Sequence, residues 1–187
     1  MKFPILAVAA LLALPGGHAA ADEFTEVLES ALEAYRAGDA VGAREDLDYA
    51  LKLLDERKAA SLATFLPAAP AGWTKAEAEA EGAGMAMAMF GGGTAAAATY
   101  SKGAEAFTLS LVANSPMVSA ISAMVSGVAS IAGTETRRIQ RVQFAVNDGD
   151  LQGVVGGKVL VSAAGTATVD DMAAVIETMD LRVLGEF

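Results

Sequence analysis

The chain has 187 residues, 53% of them apolar, with a formal net charge of −10 and no cysteine. That apolar content excludes intrinsic disorder as the main state. The absence of cysteine excludes disulfides, thiol nucleophiles and every Cys-based zinc site.

Residues 1–21 read as a signal peptide. Lys2 supplies a short positive region, 3–14 is an apolar run, and Ala19-Ala20-Ala21 is an A-x-A site before Asp22. The apolar run falls short of the roughly 20 residues that a transmembrane helix needs. No later stretch supplies a span, because 117–132 is interrupted by Ser and Gly. The expected product is exported, periplasmic or secreted, with no integral membrane span after cleavage. Cleavage also removes Lys2 and His18, the only histidine. A mature chain of this kind has no Ser-His-Asp system and no His-based zinc site. Its acidic balance does not suit nucleic acid, since phosphate contacts need clustered Lys and Arg.

A helical hairpin is expected over 22–66. Phe24, Val27, Leu28, Ala31, Leu32 and Tyr35 recur at helical spacing and form one apolar stripe. Gly38-Asp39 breaks the pattern, with Gly38 suited to the residue just past a helix end. A second stripe runs through Ala43, Leu47, Ala50, Leu51 and Leu54, joined later by Leu62 and Phe65. Tyr35-Arg36-Ala37-Gly38-Asp39, followed by Ala43, Leu47 and Ala50-Leu51, resembles the middle of one tetratricopeptide repeat, over about 31–54. The resemblance implies a Gly-Asp turn with small residues where the helices cross. No second copy follows at the family's period of roughly 34 residues, so no superhelical groove is implied.

Residues 67–94 read as a Pro/Gly/Met-rich connector. Pro67, Pro70 and Gly72 open it around Trp73, which is expected to anchor it on a core. Glu77, Glu79 and Glu81 alternate with Ala and are expected as a short helix. Met85-x-Met87-x-Met89 follows in a Gly-rich stretch. In an extended chain these three thioethers share a face, and soft sulfur suits Cu(I). Met-x-Met spacing resembles that of exported copper-handling proteins, although a Cu(I) site normally takes a further ligand such as His. The competing reading is adaptable apolar filler.

The remainder, 95–187, is expected to be an α+β sandwich domain of order ββαβββα: an antiparallel sheet with two packed helices. Strands are expected near 97–101 and 107–111, turning at Lys102-Gly103. Ser115 and Pro116 suit a helix start, with a stripe from Met117 to Ile131. Val142, Phe144 and Val146 mark a strand ended by Asn147-Asp148-Gly149, which is read as a type I′ turn rather than a calcium loop. Leu151–Val155 and Lys158–Ser162 flank Gly156-Gly157, and Thr168 with Asp171 caps a last helix. This order is broadly similar to sandwich folds of the PsbP/Mog1 type.

Arg137, Arg138 and Arg141 form the one compact basic cluster and are candidates for contact with an anion or a partner, through the bidentate guanidinium fork. On a strand, Arg137 and Arg141 would share a face and Arg138 would oppose them. No motif points to catalysis and no catalytic residue is assigned. The sequence reads as an exported, non-catalytic binding or assembly protein that acts through protein–protein contacts in the cell envelope. The alternatives are a periplasmic Cu(I)-binding protein using Met85, Met87 and Met89, and a carboxylate-based hydrolase. No cofactor other than copper is in question.

Overall fold

The computed structural model describes residues 22–77, 92–116, 118 and 135–187. The expected signal peptide, Glu79, Glu81, the three connector methionines and most of the 117–131 stripe lie outside the described residues. By its contacts the chain divides into two compact units, Met1–Leu51 and Lys52–Phe187.

The first unit holds α1 (Glu23–Arg36) and the opening of α2 (Ala40–Ala63). Asp22 caps α1, its carboxylate accepting from Thr25 N–H at 3.0 Å. This satisfies one of the orphan donors at the helix start and places a negative charge at the positive end of the dipole. At the other end, Asp39 N–H donates to Ala34 O and Gly38 N–H to Tyr35 O. Those two bonds define a Schellman closure, with Gly38 in the left-handed conformation at φ +81°. Asp39 then caps the next helix by accepting from Gly42 N–H at 2.9 Å. Gly38 and Asp39 thus end one helix and start the other. The residues buried in this unit are small: Ala31, Ala43 and Ala50. Tyr49 Oη donates to Glu23 Oε1 at 2.7 Å and ties the two helices together on one flank.

The second unit is built on one antiparallel sheet of seven strands. They are β1 (Thr74–Glu77), β2 (Thr94–Lys102), β3 (Glu105–Ala113), β4 (Glu135–Ile139), β5 (Val142–Asn147), β6 (Asp150–Val155) and β7 (Val159–Gly165). Their order across the sheet is β1-β2-β3-β7-β6-β5-β4. Alternation sorts side chains onto two unlike faces. One face carries Ala96, Ala98, Tyr100, Phe107, Leu109, Leu111, Leu151, Val155, Val159 and Val161, all in the main core. The other carries Thr99, Thr108, Ser110, Ser162 and Gln152, half-buried, and its only buried apolar cluster among the described residues is Val112, Val118 and Leu160.

Two elements cover the core face. Leu62 and Leu66, from the end of α2 and the segment after it, join the core, while Tyr100 Oη donates to Pro67 O at 2.7 Å and Lys75 Nζ to Leu66 O at 3.0 Å. Beside them Tyr100 stacks on Phe107 at 5.1 Å, and Trp73 meets Phe107 edge-on at 5.4 Å. At the β4–β6 side lies α3 (Val169–Glu177), which contributes Met172, Ala173, Val175 and Ile176 to the core. Thr168 and Asp171 cap α3 reciprocally, at 3.1 and 2.5 Å. A short α4 (Leu181–Leu184) closes the chain. Gly153 sits opposite Phe144, where an added Cβ would lie 2.7 Å from the ring. The aromatic ring therefore covers the bare glycine, a cross-strand device that keeps this part of the face filled.

The α+β class stands, and three local expectations are corrected. Thr74–Glu77 is a strand, where Glu77 had been read as the start of a helix. Ala and Glu have good helix propensity, but their alternation has period two, and pairing of β1 with β2 decides the outcome. Glu135–Ile139 is a further strand, so the sheet has seven strands rather than five. The loop after β6 holds three residues, with Val155 paired to Val159, one more than the Gly-Gly turn expected. The extra residue accommodates a close approach: a Cβ on Gly156 would lie 2.7 Å from Gly185 Cα, so only glycine lets the chain end reach this turn.

Burial pushes the Tyr100 phenol up to about 12 from its ordinary 10.0. The folded protein keeps this proton where an unfolded chain has lost it, so its stabilising contribution is intact below pH 10 and disappears as pH rises through about 12. The expected result is a fall in the urea midpoint between those pH values that is smaller in Tyr100→Phe. An equal fall in the variant contradicts the assignment.

Candidate functional site

Arg137, Arg138 and Arg141 do not form one site. Arg137 lies on β4 and its guanidinium pairs with Asp170 at the start of α3. The pair joins the sheet edge to the negative-charge-favouring end of a helix, a structural use of the charge. Arg138 alternates to the opposite face and is exposed. Arg141 does not share a strand face with Arg137 as expected. β4 ends at Ile139, Ile139 pairs with Val142, and Gln140-Arg141 forms a two-residue turn between them.

That turn is strained. Gln140 has φ +45° and Arg141 φ +73°. A two-residue turn of type I′ needs left-handed backbone at both positions, and Gln and Arg pay roughly 1–2 kcal/mol each for it. The Asp148-Gly149 turn has the same signs, φ +50° and +90°, with residues that tolerate them. Gln140 is held in place by its own side chain. Its Nε2 donates to Glu177 O at 2.6 Å and to Met179 O at 2.7 Å. Those carbonyls belong to the end of α3 and the residues after it, where acceptors lack helical partners. The side chain thus offsets the backbone strain by capping the helix.

A groove of about 490 Å³ runs beside this turn, lined by Gln140, Arg141, Val142, Val155, Leu181 and Arg182, among others. Arg182 lies 3.4 Å from Glu186, an exposed pair one helical turn apart and worth at most about 1 kcal/mol. Arg141 has no ion-pair partner among the described residues. The groove therefore presents one free guanidinium beside an apolar floor.

A second feature belongs to the helical unit. Leu28, Leu32, Tyr35, Leu47 and Leu51 are between 37% and 71% exposed. At about 100° per residue, the first three lie to one side of Ala31, and Leu47 and Leu51 lie to the corresponding side of Ala50. In an antiparallel pair those two strips fall on the same flank, opposite the Tyr49–Glu23 hydrogen bond. Five large apolar side chains on a 30-residue stretch form a contiguous uncovered patch, which ordinary surfaces rarely carry. The expected stripes contain these residues together with Ala31, Ala43 and Ala50, and in this unit the three alanines are the buried members, because close helix crossing favours side chains that let backbones approach.

Met85, Met87 and Met89 lie outside the described residues. Among the described residues no group of three or more Asp, Glu, His or Cys could hold a metal ion, and no helix is long and apolar enough to cross a membrane. Thr94 and Ser115 are the buried polar side chains there, so no described carboxylate is buried. No family model matches the chain, and neither a curated protein nor a solved structure shows significant similarity to it.

Arg141→Gly is expected to stabilise the protein by about 1 kcal/mol, because glycine adopts positive φ without a Cβ penalty. Gln140→Ala is expected to cost about 1–3 kcal/mol, since it strips two carbonyls of their donor. Urea denaturation of both variants measures this. A destabilised Arg141→Gly contradicts the strain assignment.

Proposed function

We propose that this protein is an exported, non-catalytic binding or assembly factor that holds a protein partner in the cell envelope. The observation that carries the reading is the uncovered apolar flank of the helical pair, Leu28, Leu32, Tyr35, Leu47 and Leu51. Leaving that area in water forgoes roughly 25 cal/mol for each Å² that a partner would cover. The signal-like residues 1–21 and the cleavage site before Asp22 support export.

Site-specific photo-crosslinkers at Leu32 and Leu47, introduced in the native host, test this reading. The expected result is a discrete adduct from both positions in the envelope fraction, with Asp22 at the N-terminus of the recovered protein. Val41, more exposed at 71% and on the far side of α2, is the control and is expected to give none. Equal labelling from Val41, or protein recovered in the cytosol with Met1 intact, contradicts the proposal.

A further inference from the structure

The sheet unit holds a groove of its own, of about 490 Å³, beside the Gln140-Arg141 turn. That volume falls within the roughly 300–1,000 Å³ of small-molecule sites. We propose that the groove binds a small monocarboxylate with an apolar body. The carboxylate lies on the Arg141 guanidinium and the body lies over Val142, Val155 and Leu181. This ligand is separate from any protein held by the helical pair.

Two turns of one meander set Arg141 apart. The β4–β5 and β5–β6 hairpins both close through two residues at positive φ. The second uses Asp148-Gly149, and glycine takes that backbone without strain. The first uses Gln140-Arg141, at φ +45° and +73°. The strain at Gln140 is offset by its hydrogen bonds to the carbonyls of Glu177 and Met179. The Arg141 side chain makes no ion pair or hydrogen bond among the described residues. A non-glycine residue in strained backbone, with a side chain idle in the fold and facing a groove, is the kind of outlier that marks a binding position.

The charges around the groove set the charge of its ligand. Arg141, Arg182 and Glu186 all line it. Arg182 lies 3.4 Å from Glu186, so that cation is partly answered within the chain. One free guanidinium remains, and its planar fork matches one carboxylate in bidentate geometry. A dianion such as phosphate would bring a second charge against Glu186. The chain as a whole carries −10, so its overall charge does not draw anions in, and selection rests on the fork at contact range.

The remaining walls set the body. Val142, Val155 and Leu181 give the groove an apolar floor. Both N–H donors of the Gln140 amide are already engaged, on Glu177 O and Met179 O. A polypeptide end would bring main-chain amides onto this floor with few partners for them, and leaving them unpaired there is costly. An alkyl or aryl acid brings no such groups.

Isothermal titration calorimetry of the full chain with octanoate and with phenylacetate tests the proposal. Saturable one-to-one binding of at least one acid is expected. Acetate, which lacks the body, and octylammonium, which reverses the charge, are each expected to bind at least about tenfold more weakly, a difference of one decade in affinity. Arg141→Gly is expected to lose about tenfold or more. That variant is also the one expected to gain stability, so its urea midpoint separates loss of the ligand from loss of the fold. Arg141→Lys keeps the charge without the fork and is expected to fall between. Arg138→Gln removes the same charge from the opposite face and is expected to bind as wild type does. Glu186→Gln releases Arg182 and is expected to bind more tightly than wild type.

No saturable binding of either acid overturns the proposal, as does equal binding by wild type and Arg141→Gly. Binding that survives Arg141→Gly but is lost in Leu32→Ser/Leu47→Ser assigns the acid to the helical flank and overturns it too. Octylammonium binding as tightly as octanoate reduces the effect to apolar adsorption, and inorganic phosphate binding as tightly reduces it to anion pairing. Either result overturns the proposed ligand. Acetyl-Leu-Leu binding more tightly than both acids, with its C-terminal amide inactive, assigns the groove to a polypeptide end and overturns the small acid. None of these results bears on the crosslinking test of the helical pair.

Discussion

Everything in the second unit depends on the pairing of β3 with β7. Two antiparallel meanders, β1-β2-β3 and β4-β5-β6-β7, become one sheet only there, from Phe107↔Gly165 to Ala113↔Val159. The pairing is also the longest reach in the sheet, joining residues about fifty positions apart, so its loop-closure entropy must be met before any contact across it forms. What offsets that cost is the side chains on the core face at this seam. Phe107, Leu109 and Leu111 stand beside Val159, Val161 and Ala163, all buried. A slip of one residue would turn Thr108, Ser110 and Ser162 inward and send the leucines outward. The seam also ends in a contact that leaves no room for a side chain, since a Cβ on Gly165 would meet Ala106 O. Thr166 locks the same corner by hydrogen bonds with the Ala106 backbone.

With the register fixed, the two faces become unequal, and the placement of other elements follows. The buried residues on the core face of β2 are Thr94, two alanines and one tyrosine, which leaves volume for Leu62 and Leu66 to join the core. Tyr100 is the exception that fills its own site, and its hydroxyl finds Pro67 O, so the burial leaves no polar atom unpaired. At the other side Phe144 and Ile139 meet α3, and the Arg137–Asp170 pair and Gln140 fasten the rim. The strained Gln140-Arg141 turn persists because these contacts over-determine it.

Period two was easy to read where large and polar residues alternate, as in Phe107-Thr-Leu-Ser-Leu or Val142-Gln-Phe-Ala-Val. It was obscured where the inward residues are small. Ala95–Ala98 has no amphipathic contrast, so the strand expected near 97–101 starts earlier, at Thr94, where pairing with β3 extends it. Thr74–Glu77 was hidden by helix-favouring Ala and Glu, since a short edge strand draws its stability from its neighbour rather than from its own propensity. Caps were legible because they depend on local side-chain chemistry: Gly38-Asp39 and Thr168 with Asp171 act as read. The candidate surfaces were less so. The arginine cluster was found by composition, but strand alternation and a two-residue turn scatter its members. Gln140 carried no signal, because its role exists only once the end of α3 lies against it. The apolar flank was present as a stripe, but a stripe does not say which of its residues a neighbouring helix covers.

A sheet that acts as a single rigid scaffold and a helical pair that presents an uncovered surface make a division of labour between the two units. Native-state hydrogen exchange with increasing denaturant measures it residue by residue. Amides of β3 and β7, together with those of β2, β5 and β6, are expected to exchange only at the free energy of global unfolding of the sheet unit. Amides of 23–51 are expected to exchange at a lower free energy of their own. Exchange of β1–β3 and β4–β7 at two different free energies would show that the β3–β7 seam does not unite them, and would contradict the account.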